Sequence, residues 1–281
     1  GFFGRRSHDL VAVDRCPVCS DRVNEGLTVL ASARPGALAP LESIELRAAP
    51  HGEPLVAVGA ARPGAEAAAL RALERALPGT AAPWVPRGAA GDGPEQRFPL
   101  PGGVQLRVGP QTFTQVNWAL NLRMVGDVVA RSLERGVRRF ADLYAGAGNF
   151  ALPLLAAGMS GLVVERSAEA VARARASAEA AGLAGGDFRV GKAEVVAREL
   201  ASTLASSDLV LLDPPRGGAR DALAGAVAAR PRLIVLIGCD PTTFARDLRT
   251  LREQGFGLQS LAAYDLFPQT HHLEAMAWLE R

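Results

Sequence analysis

Residues 233–241 read Leu-Ile-Val-Leu-Ile-Gly-Cys-Asp-Pro, a run of five apolar residues, three of them β-branched, that stops at a glycine. Such a run predicts a strand that is buried on both faces, as in the interior of a parallel sheet. We expect a helix to begin close behind Cys239, with Thr242 or Thr243 as its N-cap. Reacting groups in open α/β sheets collect at the carboxyl ends of strands. Cys239 is therefore a candidate nucleophile, and the alternative is a small buried hydrophobe.

Strands and helices alternate on both sides of this stretch, from about residue 109 to the C-terminus. The pattern predicts five strands separated by helices, at 140–144, 161–165, 187–190, 208–212 and 233–237, and two further strands near 258–263 and 273–279. Repeated strand–helix units form parallel sheets with helices on both faces. We therefore predict an α/β domain over 109–281, with a Rossmann-like, doubly wound, mostly parallel sheet.

The first part of the chain lacks the regular alternation of strands and helices. Residues 1–108 read as a smaller α+β domain, and 78–95 are a loop rich in proline and glycine. The segment Cys16-Pro-Val-Cys19 has the spacing of a zinc knuckle or a redox pair. Zinc needs a second pair of ligands, and a redox pair needs a thioredoxin-like context, and neither follows in the sequence. On spacing alone, the two cysteines are structural or incidental.

Bulk composition narrows the class of protein. The chain has 281 residues, 48% of them hydrophobic, and room for one large or two ordinary domains. It contains no apolar run of 18 residues, so we expect no membrane span. Three cysteines exclude a disulfide scaffold and suit the reducing cytoplasm. The net charge of +2 does not by itself indicate a nucleic-acid partner. The chain opens on Gly1 rather than Met, and we expect it to be a trimmed piece of a longer protein.

A glycine turn follows the first strand of the α/β domain. Gly146-Ala147-Gly148 alone predicts only a tight turn. Glu165, at the end of the next strand, is placed to bind ribose hydroxyls of a nucleotide-like ligand. Asp142 precedes the glycines, and no third glycine follows at dinucleotide spacing. This favours S-adenosylmethionine (SAM), which is cationic and has no pyrophosphate, over NAD; a Rossmann core without a ligand is the third alternative.

Two further segments carry reactive side chains. Residues 213–216, Asp-Pro-Pro-Arg, end the fourth strand, and the prolines fix the backbone that carries Asp213 and Arg216. The alternative is a rigid turn without chemistry, and amino methyltransferases have a similar run. Glu274 heads an apolar strand, where a carboxylate is costly unless it is paired or used.

These segments together resemble the RNA uracil-5-methyltransferases, SAM-dependent enzymes that make 5-methyluridine in transfer or ribosomal RNA. The resemblance covers about 111–276 and rests on five motifs in order: Phe113-Thr114-Gln115-Val116-Asn117, Asp142-Leu143-Tyr144 with Gly146-x-Gly148-Asn149-Phe150, Asp213-Pro214-Pro215-Arg216-x-Gly218, Cys239-Asp240-Pro241-x-Thr243-x-Ala245-Arg246-Asp247 and Phe267-Pro268-Gln269-Thr270-x-His272-x-Glu274. The start of the chain also looks like the family's central domain.

The resemblance implies a site. It makes Cys239 the nucleophile and Glu274 the proton-abstracting base, and Arg216 is a candidate substrate contact. It implies that the SAM site is lined by Gln115, Tyr144, Gly146, Gly148, Asn149, Glu165 and Asp213. Because a thiolate must add to carbon 6 of the uracil, we expect the site to favour the thiolate of Cys239. The resemblance implies that the binding partner is RNA and that no membrane is involved. We further expect a cytoplasmic protein that is a monomer.

The chain departs from the family pattern in its first part. Members usually carry an N-terminal RNA-binding TRAM domain, and this chain starts after the place of that domain. Some members hold a 4Fe–4S cluster, and Cys16 matches its fourth ligand, whereas Cys19 matches none. Two alternatives stay open: a cytosine-5 RNA methyltransferase, and a non-catalytic RNA-binding relative or inactive fragment.

Overall fold

The computed structural model of the chain describes residues 2, 3, 7–34, 36–50, 55–77, 85, 86, 95–109, 112–199, 207–270 and 272–281. The chain divides into two compact units, 1–97 with 109–111 and 98–108 with 112–281. Residues 98–108, which the sequence-based boundary assigned to the N-terminal domain, thus group with the second unit. Apart from residues 85, 86 and 95, the proline- and glycine-rich stretch 78–95 lies outside the described residues.

The strands are described in chain order. They are β1 (Phe2–Phe3), β2 (Leu10–Val11), β3 (Leu41–Arg47), β4 (Val56–Ala61), β5 (Val85–Pro86), β6 (Gln96–Pro99), β7 (Gln105–Val108), β8 (Arg139–Asp142), β9 (Ser160–Glu165), β10 (Gly186–Val190), β11 (Leu209–Leu212), β12 (Leu233–Gly238), β13 (Gly257–Tyr264) and β14 (Glu274–Glu280).

The helices follow the same order. They are α1 (Asp21–Ala31), α2 (Glu66–Ala76), α3 (Trp118–Glu134), α4 (Ala151–Ala156), α5 (Ala168–Ala180), α6 (Ala193–Glu199), α7 (Arg220–Ala228) and α8 (Pro241–Glu253), with a short 3₁₀ turn at Pro101–Gly103. Among the described residues, none of these helices is both long enough and apolar enough to cross a membrane.

The second unit is built on one seven-stranded sheet with the order β10-β9-β8-β11-β12-β14-β13. The five strands from β10 to β12 run parallel, and β14 and β13 are antiparallel additions at one edge. Every residue of β11 is buried, as is each apolar residue of β12, because helices cover both faces of these strands. The predicted doubly wound, mostly parallel α/β fold is confirmed.

The helix behind the central strand begins differently from the prediction. Asp240, not a threonine, is the N-cap of α8, and its carboxylate accepts the N–H of Thr243 at 2.8 Å. Pro241 occupies the first turn, where its missing N–H costs nothing. The helix therefore starts immediately behind Cys239, which fixes the cysteine between two rigid elements.

The first unit has its own small core. Strand β3 pairs antiparallel with β4, and β4 pairs parallel with β5. Helix α1 begins directly behind Ser20, whose hydroxyl caps it by accepting the N–H of Val23. The buried residues that α2 and the sheet share are Leu41, Ala57, Ala69, Leu73 and Leu77.

Candidate active site

The carboxyl ends of the parallel strands bring the predicted site residues to one edge of the sheet. In the register, Leu211 pairs with Asp142 and Leu212 pairs with Leu236. Asp142 and Glu165 are the last residues of β8 and β9, and Asp213 is the first residue beyond β11. Since β12 ends at Gly238, Cys239 leaves the sheet at this same edge.

Cys239 and Glu274 meet because β14 runs antiparallel beside β12. Gly238 pairs with Ala275, so the next positions along the two strands are Cys239 and Glu274. The charge of Glu274 acts directly on the Cys239 thiol. A thiol and a carboxyl group therefore stand side by side, although 34 residues of sequence from Asp240 to Leu273 separate them.

Burial sets the proton affinity of Glu274. Its side chain is only 3% exposed. Burial, and then the nearby charge of Asp213, raise the pKa of Glu274 to about 8. A carboxylate with such a pKa takes up a proton far more readily than an ordinary surface glutamate does.

The Cys239 thiol does not match the expected thiolate. Its pKa is raised, first by burial and then by the charge of Glu274, while Arg216 acts in the opposite direction. The N-terminus of α8, whose partial positive charge would favour the thiolate, is already capped by Asp240. Burial and the neighbouring carboxyl groups therefore favour the thiol form of Cys239, and Arg216 favours its ionisation.

The glycine turn between β8 and α4 is shaped by two positive backbone angles. Gly146 has φ 54° and Gly148 has φ 97°. A Cβ on Gly148 would lie 2.8 Å from Cγ of Leu152, so only glycine fits there. Glu165 binds the turn from the next strand, since its Oε2 accepts the N–H of Gly146 at 3.2 Å.

Asn149 is held by a second asparagine that the sequence analysis did not single out. The side-chain amides of Asn149 and Asn121 exchange two hydrogen bonds of 2.9 Å. Asn121 is fully buried on α3. Gln115 is half-buried in the segment that leads into α3, whose N-cap is Asn117. Thus α3 connects the segment of Gln115 to the glycine turn.

Two acids, the fully buried Asp142 and the partly buried Asp213, lie close to the turn. Asp142 is 0% exposed, and among the described residues no side chain bonds its carboxylate oxygens; only the backbone N–H groups of Tyr144 and Ala151 favour its ionised form. Burial, and then Asp213, raise the pKa of Asp142 well above its ordinary value. Burial also raises the pKa of Asp213 to about 7. These carboxyls fit a cationic ligand, because a positive charge would stabilise their ionised forms, and they disfavour an anionic pyrophosphate.

The signal for Asp142 was present in the sequence. An acid that follows Phe140-Ala141 at the end of a buried strand has no solvent to face. That no side chain pairs with the carboxylate depends on the neighbouring strands, whose order the sequence does not show.

Tyr144 is turned toward acidic side chains. It is half-buried against the core of the second unit. Burial, and then the charges of Glu194, Asp221 and Asp247, raise the pKa of its phenol to about 12. The phenol is therefore neutral at physiological pH and can donate a hydrogen bond.

Arg216 lies on the exposed rim of the site. Its Nη2 is 3.3 Å from Nε2 of His272. It lines one small pocket together with Cys239, Thr243 and Asp247. The guanidinium is therefore available both to the thiol and to an incoming anion.

Cys16 and Cys19, in the first unit, occupy one turn. The N–H of Cys19 donates to the carbonyl of Cys16 at 3.2 Å. Asn24 clamps the turn, since its amide bonds the backbone of both cysteines. Among the described residues, no group of three or more side chains is placed to hold a metal ion. Two thiols fall short of the four cysteines of a 4Fe–4S cluster, so the described residues alone do not fit one, and Cys16 as its ligand stays a prediction.

Comparison with known proteins shows which family the chain is similar to. The sequence model of the tRNA (Uracil-5-)-methyltransferase family matches residues 103–281. The 23S rRNA (uracil(1939)-C(5))-methyltransferase RlmD of Edwardsiella ictaluri is 34% identical over 100% of this chain and 65% of its own length. The RlmD of Thiobacillus denitrificans is 37% identical over 74% of this chain and 48% of its own length. The chain thus spans about half to two thirds of the length of these relatives.

Solved structures support the fold. The tRNA (uracil-54, C5)-methyltransferase of Pyrococcus abyssi, solved with S-adenosyl-L-homocysteine, superposes with a TM-score of 0.77 at 22% identity, over 99% of this chain and 72% of its own. TYW2 of Pyrococcus horikoshii gives a TM-score of 0.58 at 13% identity, over 92% of this chain and 98% of its own. Both likenesses place the second unit in the class I methyltransferase fold.

Proposed function

The chain belongs to the tRNA (uracil-5-)-methyltransferase family, and from that premise we propose that it methylates carbon 5 of a uridine in RNA, with SAM as the methyl donor. The observation that carries the proposal is the pairing of Gly238 with Ala275, which sets Cys239 beside Glu274. Carbon-5 methylation of uracil needs such a pair, a nucleophile for carbon 6 and a base for the proton on carbon 5.

The reaction proceeds through a covalent adduct. The Cys239 thiol loses its proton to solvent and the thiolate adds to carbon 6, while the electrons of the carbon 5–carbon 6 double bond move onto the carbonyl oxygen at carbon 4 as an enolate. SAM would supply the methyl group that carbon 5 takes up, and its sulfur would leave as the neutral thioether of S-adenosylhomocysteine. Glu274 then removes the proton from carbon 5, the double bond reforms, and the bond between sulfur and carbon 6 breaks to release the thiolate. The pKa of Glu274, about 8, suits a base that acts near neutral pH.

The acids at the sheet edge would hold the donor. The carboxyl groups of Asp142, Asp213 and Glu165 lie close to the glycine turn, and the positive sulfonium and ammonium groups of SAM would stabilise their ionised forms. Gly146 and Gly148 allow close approach of a ligand to the backbone. Gln115, Tyr144 and Asn149 complete the proposed set.

The substrate is RNA, either ribosomal or transfer. The relative that aligns with the whole chain is named as acting on 23S rRNA, so ribosomal RNA is the first substrate to test. The target uridine must leave its base stack to reach the thiol, which costs a few kcal/mol, less in a loop. Arg216 is the proposed phosphate or base contact. We assign the protein to the cytoplasm, as a monomer.

A trapping experiment tests the mechanism. RNA that contains 5-fluorouridine has fluorine in place of the proton that Glu274 removes. Release of Cys239 is therefore blocked, and the reaction stops at the covalent adduct. We expect a protein–RNA complex that survives denaturation, forms only with SAM, and maps by mass spectrometry to Cys239. Cys239→Ala should form none.

The outcomes separate the alternatives. Methyl transfer to unmodified RNA by the Cys239→Ala variant would overturn the mechanism. Mass mapping of the methylated nucleoside as 5-methylcytidine would identify a cytosine enzyme. Absence of any adduct, in a protein that binds both SAM and the RNA, would favour the non-catalytic relative.

A further inference from the structure

Two side chains of α8 grip the turn that carries Arg216. The hydroxyl of Thr243 donates to the carbonyl of Arg216 at 3.0 Å. Nη2 of Arg246 donates to the carbonyl of Gly217 at 3.0 Å. The helix that begins directly behind Cys239 is therefore bonded to the turn after Asp213, although nothing in the chain order requires the two to touch.

A third side chain of α8, that of Asp247, stabilises this contact by hydrogen bonds on both of its oxygens. Asp247 is 1% exposed, and its Oδ2 accepts the N–H of Ala219 at 2.6 Å. Its Oδ1 accepts Nε of Arg246 at 2.9 Å. A buried carboxylate that is hydrogen-bonded on both oxygens is rigid, and loss of either partner leaves a charge without compensation.

The backbone of the turn fits these side chains closely. Gly218 has φ 82°, an angle that other residues rarely adopt. A Cβ at this position would overlap Nη2 of Arg246 and Oδ2 of Asp247. The turn and the three side chains therefore form one interlocked unit, which we call the α8 clamp (Thr243, Arg246 and Asp247).

The clamp sets the position of Arg216 relative to Cys239. Arg216, Cys239, Thr243 and Asp247 line the same small pocket. We propose that the α8 clamp is a positioning device that holds the Arg216 guanidinium beside the Cys239 sulfur. The benefit to methyl transfer rests on the proposed function, but the placement itself is a property of the thiol and can be measured without RNA.

The charges around the thiol show why this placement matters. Glu274 from β14 and Asp213 from the turn after β11 disfavour the thiolate, and Arg216 favours it. The carboxylate of Asp240 also faces Arg216. Among the described residues whose charges act on the Cys239 thiol, Arg216 is the one cation. Displacement of its turn therefore weakens the interaction that offsets the two acids.

Alkylation of Cys239 tests the placement. The rate of its reaction with iodoacetamide, followed by mass spectrometry of the peptide that contains it, reports the thiolate fraction. At pH 8 we expect Arg216→Gln to lower the rate about fivefold, the size expected for loss of one nearby charge. Thr243→Val, which keeps the shape of the side chain and removes the hydroxyl, should lower it in the same direction. The double variant should react no more slowly than Arg216→Gln alone.

Matched variants on the same helix serve as controls. Thr242 and Arg249 are exposed on α8, and Thr242→Val and Arg249→Gln should leave the alkylation rate unchanged. Gly218→Ala provides an independent route, because it forces the clamp apart without removing any charge. Melting curves of all variants identify any that fail to fold.

Several results would overturn the proposal. If Arg216→Gln slows alkylation and Thr243→Val does not, the clamp does not position the arginine. If the two effects add in the double variant, Thr243 acts on Cys239 by another route. An alkylation pattern as expected, in a protein that forms no adduct with 5-fluorouridine RNA, would retain the clamp and reject the proposed function.

Discussion

At the scale of single residues, the proposed site pairs two groups whose pKa values are both raised. Glu274 is buried, and its pKa is about 8. The pKa of Cys239 is also raised. Each group is consequently a stronger base once it has lost its proton than it would be in water. In the proposed reaction, the Glu274 carboxylate accepts a proton from carbon 5 and the Cys239 thiolate forms a bond to carbon 6, and the raised basicity helps both steps.

Replacement of Glu274 by glutamine separates the two halves of the proposed reaction. The amide cannot take the proton from carbon 5, so the methylated adduct should not resolve. We expect turnover to fall by about 10²–10⁴-fold. A covalent complex of Cys239 with ordinary RNA should accumulate in the presence of SAM and be visible on a denaturing gel.

An exposed glutamate provides the control for this variant. Glu253 lies at the end of α8, and Glu253→Gln should leave turnover unchanged. If Glu274→Gln turned over at the wild-type rate, another group would have to be the base. Loss of turnover without an accumulating complex would place Glu274 before the adduct rather than after it.

At this scale the sequence nominates the groups of the proposed site but does not give their state. Cys239 was singled out by its place behind a buried strand, and Glu274 by its place at the head of an apolar one, and the family resemblance implied their roles, which stay predictions. The direction of the Cys239 pKa was predicted wrongly. The thiol is surrounded by Glu274 and Asp213, which arrive from distant segments of the chain, and the helix N-terminus is already occupied by Asp240.

At the scale of elements, the glycine turn allows the cost of a strained backbone angle to be separated from an effect on ligand binding. Gly148 and Gly158 both have positive φ angles, of 97° and 86°. A Cβ at Gly148 would collide with Leu152, whereas nothing lies within 4 Å of a Cβ at Gly158. Of these two glycines, only Gly148 belongs to the proposed SAM site.

We therefore expect the two alanine variants to diverge. Each should lose about 1 kcal/mol or more of stability to the unfavourable backbone angle. Gly148→Ala should in addition weaken SAM binding at least tenfold, because the collision with Leu152 displaces the turn. Calorimetric titration with SAM measures the affinity, and urea denaturation measures the stability. Equal loss of SAM affinity in both variants would remove the glycine turn from the binding site.

The same scale shows which elements the sequence could predict. The five parallel strands and their helices were found, because each has a periodic apolar pattern of its own. The start of α8 was misplaced, since Asp240 and the threonines behind it are all competent caps and only the backbone decides between them. Asn121, which holds Asn149, was missed because a buried asparagine inside a helix has no local signature.

At the scale of the whole molecule, the order of the strands assembles the site. Alternation of strands and helices predicts a sheet but not its order. The C-terminal strand β14 inserts between β12 and β13, and this insertion alone brings Glu274 to Cys239. Likewise β11 lies between β8 and β12, so Asp213 stands between Asp142 and Cys239. Several acids thereby converge at one edge of one sheet.

Such convergence should make the protein less stable as the pH rises. The pKa of Glu274 is raised from 4.5 to about 8 by folding, and that of Asp213 from 3.8 to about 7. Between these limits the folded chain keeps protons that the unfolded chain has lost. The contribution of these two groups to the free energy of unfolding is therefore largest below about pH 4, and it falls as the pH rises toward 8. A cationic ligand such as SAM should offset part of the loss.

Glu274→Gln measures the contribution of the buried base. The amide has no charge to bury, so the variant should match the wild type near pH 5 and exceed it at pH 8.5, by on the order of 1–3 kcal/mol. Urea denaturation at both pH values gives the difference, and Glu253→Gln should track the wild type throughout. A constant difference between Glu274→Gln and the wild type at the two pH values would mean that Glu274 is not buried against neighbouring acids. The gain in stability, set beside the loss of turnover, would show that the raised proton affinity of Glu274 serves the reaction and not the fold.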